Sequence, residues 1–319
     1  MGRLDPNSGR GGGEVIELRS ASRWYGQVIG LNDVSATISG GVTALLGMNG
    51  AGKTTLMRLV TGQMRPTAGE VRVFGEDPFA NPSVYRKMGY CPDVDNFYEE
   101  LTGRQFLNLM GRMSGFTQQG AEKRTQVMLE KVGMADRADR KIGGFSKGMR
   151  QRIKLAQAML HDPEIILLDE PLNGLDPVGR REFIDVLHEL GDQGKAILVS
   201  SHILFEVEQM TRSILLLHRG RLLATGDLKV IRELIDKHPH RVRIRSTAAR
   251  QVAEQIVALP YVISVHLEPG GDALELQTRE VDQFFQFLPT LALDKGLPLH
   301  AIESPDNNLE SVFRYLVGG

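Results

Sequence analysis

The sequence predicts a two-part molecule: an α/β domain built on a covered parallel sheet, followed by a smaller α+β unit. Three observations carry this prediction. Between residues 14 and 234, short apolar runs alternate with helical stretches, the pattern of an α/β domain. Those runs are continuous rather than alternating, as strands buried on both faces require. Beyond about residue 238 the pattern changes to strands and amphipathic helices of a different order, and 319 residues suffice for two domains.

In chain order, residues 1–13 are rich in Gly, Arg, Asp, Asn and Ser and read as a disordered lead-in. Residues 42–46 are apolar and run into a glycine-rich loop, after which residues 54–60 read as the start of a helix. The stretch 101–140 is helix-biased and Met-rich (Met110, Met113, Met128, Met134), with Gly115 and Gly120 expected as breaks. It reads as a helical insertion reaching to about residue 155, its methionines packed in a core. Residues 164–169 form a strand ending in carboxylates, and 196–199 a strand ending at Ser200-Ser201-His202. In the tail, strands are expected at 240–245, 262–267, 273–278 and 299–302, and helices at 248–259, 281–293 and 309–316. That is βαββαβ plus a helix, a ferredoxin-like order.

Composition narrows the function. The hydrophobic fraction is 41% and the charged fraction 24%, as in soluble globular proteins. No apolar run approaches the ~20 residues that span a bilayer, so a membrane role must come through a partner. A formal charge of −1 gives no electrostatic footprint for nucleic acid, and none is expected as a partner. Cys91 is alone, which fits a reducing cytoplasm and a buried thiol.

The chemistry lies at the carboxyl ends of the expected parallel strands, where such sheets bind ligands. Gly47-Met48-Asn49-Gly50-Ala51-Gly52-Lys53-Thr54 fits the G-x-x-x-x-G-K-[ST] phosphate loop, with Thr55 following. Its glycines leave backbone N–H groups open to an anion, and the next helix aims its positive end there. Lys53 would reach the β- and γ-phosphates, and the Thr54 hydroxyl would face Mg2+. By itself this loop specifies a nucleotide and no more. Asp169, emerging from the apolar strand, could hold the Mg2+, and Glu170 could act as general base toward water.

Phe145-Ser146-Lys147-Gly148-Met149-Arg150-Gln151-Arg152, lying between the phosphate loop and the acidic strand, resembles the signature of ATP-binding cassette (ABC) ATPases. Leu172-Asn173-Gly174-Leu175-Asp176 resembles that family's loop after the acidic strand, with Asp176 as an interface residue. The resemblance covers residues 14–234 and implies a P-loop NTPase fold with a helical subdomain. It implies that Tyr25 stacks on adenine, with Trp24 as the competing aromatic, and that His202 contacts the γ-phosphate. It further implies that ATP lies between two such domains, with Ser146 and the Gly148 backbone reaching the nucleotide of the partner. The second domain would be another copy of this chain or a paralogue.

Two departures stand out. Asp93 occupies the place of the family's usual glutamine, where it could bind Mg2+ through water. Lys147 and Met149 replace a glycine and a glutamine of the signature. Residues 238–319 resemble the accessory domain of bacterial exporter-type ATPase subunits, with Asn308-Leu309-Glu310-Ser311-Val312-Phe313 as its closing motif. The expected function is therefore an ATPase powering a membrane exporter, peripheral on the cytoplasmic face of the plasma membrane. Its permease would dock near Asp93 and the helical insertion, where Phe97 and Tyr98 are expected to be exposed. The competing class is a soluble ABC ATPase of translation or DNA, whose members carry paired cassettes or long coiled coils.

Overall fold

The computed structural model describes residues 15–229 and 240–304. The expected lead-in, the boundary between residues 234 and 238, the closing motif and the helix expected at 309–316 lie outside the described residues. The chain divides into two compact units, Met1–Asp227 and Leu228–Gly319.

The first unit opens with β1 (Ile16–Tyr25), β2 (Val28–Ile38) and β3 (Gly41–Leu46), then α1 (Lys53–Val60) and β4 (Ala68–Val73). A short α2 (Pro82–Tyr85) and β5 (Met88–Cys91) precede three helices, α3 (Gly103–Met113), α4 (Gln118–Lys131) and α5 (Lys147–Met159). The chain continues through β6 (Ile165–Leu168), α6 (Pro177–Asp192), β7 (Ala196–Ser201), α7 (Leu204–Met210), β8 (Ser213–His218) and β9 (Arg221–Asp227).

Two sheets result. The larger runs β5-β6-β7-β3-β8-β9, parallel from β5 to β8, with β9 antiparallel at the edge. The Ile-Ile-Leu-Leu run of β6 and all six residues of β7 are buried, which explains why neither alternates. A separate antiparallel sheet, β2-β1-β4, was not foreseen from sequence. Its Ile16, Leu18, Leu31 and Val73 share one core with Leu56 and Leu59 of α1 and Leu45, Leu198 and Leu215 of the larger sheet. Each such side chain contributes roughly 1.5–3 kcal/mol on burial, so the helix behind the phosphate loop is held from both sides.

The helices start where polar caps allow. Thr102 and Gln105 form a reciprocal capping box on α3, Thr117 caps α4, Ser146 caps α5, and Asp176 followed by Pro177 starts α6. Gly115 does break the helical run, with φ of 96°. Gly120, expected as a break, instead lies in the first turn of α4 and donates its N–H to the Thr117 hydroxyl at 3.1 Å. Met128 and Met134 are buried as expected, but Met113 is 73% exposed at the last turn of α3.

The second unit comprises β10 (His240–Arg245), α8 (Ala249–Ile256), β11 (Val262–Leu267), β12 (Ala273–Thr278), α9 (Val281–Lys295) and β13 (Ala301–Glu303). Its antiparallel sheet has the order β11-β12-β10-β13, which with the βαββαβ succession gives ferredoxin-like topology. Val242, Ile244, Leu274 and Leu276 face Val252, Ile256, Phe284 and Leu288 in one core. Residues of the alternate register pair by charge: Arg243 grips Glu268 at 2.6 and 2.7 Å, and Arg241 meets Glu275 at 3.5 Å.

Candidate functional site

The phosphate loop leaves β3 at Gly47, whose N–H donates to Ser201 O at 3.2 Å, so the loop begins tied to the end of β7. Gly50 and Gly52 have φ of 80° and 107°, a region in which any other residue is strained. Asn49 and Gly50 form the exposed crown, while Ala51 is buried and accepts from Gly220 N–H at 2.9 Å. Gly52 brings no side chain to cap α1, which leaves that helix's first N–H groups turned toward the loop. Lys53 folds back over the loop and donates to Gly47 O at 2.6 Å and Met48 O at 3.3 Å.

The acidic pair meets this loop from β6. Asp169 Oδ2 accepts from the Thr54 hydroxyl at 2.9 Å, and Oδ1 accepts from Ser200 Oγ at 2.6 Å. Burial pushes the Asp169 carboxyl above its ordinary range; the Ser200 and Thr54 hydroxyls pull it back, and the charges of Glu170 and Asp93 raise it further. Glu170 sits in a left-handed conformation, φ 49°, with its N–H donating to Ser200 Oγ at 2.8 Å. Its Oε1 lies 3.0 Å from Lys53 Nζ and its Oε2 2.9 Å from His202 Nδ1. A carboxylate can only accept, so the imidazole proton in that contact belongs on Nδ1.

A buried carboxylate whose oxygens meet only hydroxyls, beside the mouth of a phosphate loop, is a hard-oxygen donor set suited to Mg2+. The chain offers Asp169 and Thr54 for it, with phosphate oxygens and water left to complete the shell.

Tyr25 stands at the end of β1, half-exposed, its hydroxyl 3.4 Å from Thr55 Oγ1 and 3.3 Å from Met64 Sδ, with the Arg23 guanidinium 5.3 Å from its ring centre. The Asp93 side chain is exposed on the loop after β5, near enough for its charge to act on Asp169. Ser146 and Gly148 are placed elsewhere. Ser146 Oγ accepts from Met149 N–H at 3.2 Å, and Gly148 lies against Gly174 and Leu175. One chain thus gathers Lys53, Thr54, Asp169, Glu170 and His202 through mutual contacts in which Ser146 and Gly148 take no part.

Sequence reasoning missed three supports. Ser200 bridges both acids. Lys154 is buried under the Asp93 loop, donating to Pro92 O at 2.9 Å and Asp93 O at 3.0 Å. Arg180 joins the loop after the acidic strand to the switch region: Nε donates to Leu175 O at 3.2 Å, and Nη1 meets Glu206, which accepts from Ser201 Oγ at 2.9 Å. Only the serine had any signal, its place before His202.

A groove of about 480 Å³ opens beside the Asp93 loop, lined by Tyr90, Val94, Phe97, Met110, Met113 and His161. Burial and the Asp169 charge push the Tyr90 phenol up to about 12. Tyr98 is 60% exposed, but Phe97 is not free: it packs edge-on against Phe106, ring centres 5.1 Å apart, which corrects the expectation of an exposed pair. Cys91 is fully buried, its thiol pushed up to about 12 by burial.

Residues 31–173 match the family model described as ABC transporter. The chain is 31% identical over 312 residues to the bacitracin transport ATP-binding protein BcrA of Bacillus licheniformis, covering 96% of this chain and 98% of that one. It is 33% identical over 308 residues to the Nod factor export ATP-binding protein I of a Rhizobium species, strain N33, covering 95% and 97%. Among solved structures it resembles the ATP-binding subunit of an ABC transporter with a TM-score of 0.63 and 32% identity, covering 69% of this chain and 92% of that one. A cassette fold that gathers its phosphate loop, acidic pair and histidine, matched at this level over nearly its whole length, makes the chain a member of the ATP-hydrolysing, ATP-binding subunits of ABC transporters.

Proposed function

We propose that two such subunits close head to tail around ATP and so power an exporter. The single observation that carries this reading is the division of contacts: Lys53, Thr54, Asp169, Glu170 and His202 bond to one another in one chain, while Ser146 and Gly148, at the start of α5, make theirs with Met149, Gly174 and Leu175. A second subunit would bring its Ser146 hydroxyl and Gly148 N–H to the exposed γ-phosphate, where a helix start is a natural anion donor.

In this reading Lys53 leaves its loop carbonyls for the β- and γ-phosphates. Thr54 and Asp169 would hold Mg2+, which when bound would neutralise charge developing on the phosphates. Glu170, released from Lys53, takes a proton from the attacking water, and His202 donates from Nδ1 to keep that carboxylate oriented. Asp93 lies at the outer edge of the metal site, and Tyr25 offers its ring to adenine.

No described helix is long and apolar enough to cross a membrane. In this scheme the permease would dock in the groove beside Asp93, on the cytoplasmic face. The accessory α+β unit serves dimerisation or regulation in this scheme; it lacks an evident catalytic constellation among its described residues.

Purification of the Glu170→Gln variant from membranes with ATP tests the reading. A dimer carrying trapped ATP together with an integral membrane protein is expected. A monomer with stoichiometric ATP, or wild-type turnover stimulated by ribosomes or DNA without a membrane partner, overturns it.

A further inference from the structure

We infer that Lys154 is the positioning residue that fixes Asp93 at the edge of the metal site and couples the two nucleotide sites of the pair. The Lys154 side chain is only 5% exposed, a costly placement for its amine unless every N–H finds a partner. All of its partners come from one short loop: Pro92 O at 2.9 Å, Asp93 O at 3.0 Å and Asp95 Oδ1 at 2.9 Å. Three donors are thus matched by three acceptors within four residues, which holds the backbone on both sides of Asp93.

The same face of α5 repeats the grip one turn earlier. Arg150, four residues before Lys154, meets Glu99 at 3.0 Å and lies 6.0 Å from the Phe97 ring centre. Gln151 reaches Cys91 Sγ at 3.7 Å. The loop from Pro92 to Glu99 is therefore fastened to the helix that Ser146 caps. At its other end this loop leaves β5 beside the acidic pair: Cys91, two residues before Asp93, pairs with Leu168, and its carbonyl accepts the Asp169 N–H at 2.9 Å.

The coupling follows from that placement and rests on the head-to-tail reading above. Asp93 serves the chain's own nucleotide, while Ser146, at the start of the same helix, serves the partner's. A shift of Asp93 on metal binding would be carried through Lys154 along α5 to the neighbouring site. Lys154 also lines the proposed permease groove, so an occupant there would feel the same element.

The test compares Lys154→Met, Lys154→Arg and Asp95→Asn with wild type, using a fluorescent ATP analogue and ATPase assays. Binding in EDTA reads the phosphate loop, and all variants should stay within about twofold of wild type. The Mg2+ concentration for half-maximal enhancement of analogue binding should rise about tenfold in Lys154→Met, the scale on which second-layer supports act on metals. The Hill coefficient of its hydrolysis should fall toward one, and Lys154→Arg should recover most of both.

Unchanged Mg2+ dependence and cooperativity in Lys154→Met overturn the inference. So does a loss of EDTA binding that parallels a fall in Tm, the mark of a merely structural residue. If Lys154→Met does not fold, Asp95→Asn decides: a rise in the Mg2+ requirement supports the inference, and wild-type behaviour overturns it. Absence of cooperativity in wild type overturns the head-to-tail reading and the coupling drawn from it, while the Mg2+ titration still decides the positioning of Asp93.

Discussion

Lys53 and Glu170 neutralise each other across the mouth of the phosphate loop, Nζ to Oε1 3.0 Å, with the lysine 6% and the glutamate 12% exposed. The residue proposed for phosphate and the residue proposed for water thus engage one another. In the proposed mechanism, Lys53 would exchange this partner for the phosphates of ATP.

Lys53→Ala removes the cation that nucleotide binding needs. Its ATP affinity should fall at least about tenfold, the value of one charge-assisted bond of roughly 1.5–3 kcal/mol. Equilibrium dialysis reads this, and a wild-type dissociation constant would exclude Lys53 from the site.

Glu170→Gln releases Lys53 while keeping the shape of the side chain. Nucleotide affinity should rise a few fold, and turnover should fall by about 10²–10⁴, the range for a general base. Parallel binding and single-turnover measurements separate the two; equal turnover would assign the base elsewhere.

Burial raises the Asp169 carboxyl above its ordinary value. A raised acid binds its proton more tightly when folded, so its ionised form costs stability above that raised value, and the cost is relieved as pH falls through it. Asp169→Asn should therefore raise the nucleotide-free Tm at pH 7 by about 2 °C, with the gain shrinking toward acid pH. With Mg2+ and ATP the order should reverse, because only the carboxylate holds the metal. A Tm difference independent of pH would remove Asp169 as its source.

The Arg180–Glu206 contact at 3.1 Å joins the start of α6 to α7, with Glu206 nearly buried and Arg180 41% exposed on its side chain. Glu206→Ala strands both Arg180 and Ser201 and should cost about 2 kcal/mol. A double-mutant cycle with Arg180→Ala should give about 0.5–1 kcal/mol of coupling, at the low end because water screens the arginine. Urea denaturation measures it, and additive losses would mean that the pair contributes nothing as a pair.

Much of the fold was legible because local signals and burial agreed. The run of β6 is apolar throughout, and β10, β11 and β12 begin and end at the residues their patterns predicted. The antiparallel β2-β1-β4 sheet was not legible, since β1 mixes Ile16 and Leu18 with Arg19 and Ser20 and bulges where it turns. Gly120 misled because a glycine in a first helical turn, capped by Thr117, looks like a break in sequence alone.

At the site, Gly47 to Thr54, Asp169 and Glu170 were legible because their chemistry is written in neighbouring residues. Lys154 and Arg180 were not, because the lysine acts on the loop of residues 92–95 and the arginine on Glu206 of α7, partners that sequence order does not bring near. A charged residue in a helix reads as solvated until its partners are seen. Phe97 failed similarly: only the Phe106 ring, supplied by α3, decides that it is packed.

The left-handed backbone at Glu170 has an evolutionary consequence. Holding that conformation costs a non-glycine residue about 1–2 kcal/mol. Glycine or asparagine there would relieve the strain, and the Ser200 contact, made by the backbone N–H, would survive the exchange. Random drift at this position therefore runs downhill in folding energy toward chains that hold nucleotide without cleaving it. Such a chain would still dock with an intact copy, so a duplicated gene could fall into a mixed pair with one working site. With Glu170 as the proposed base, selection on turnover rather than on folding would be what keeps it in place.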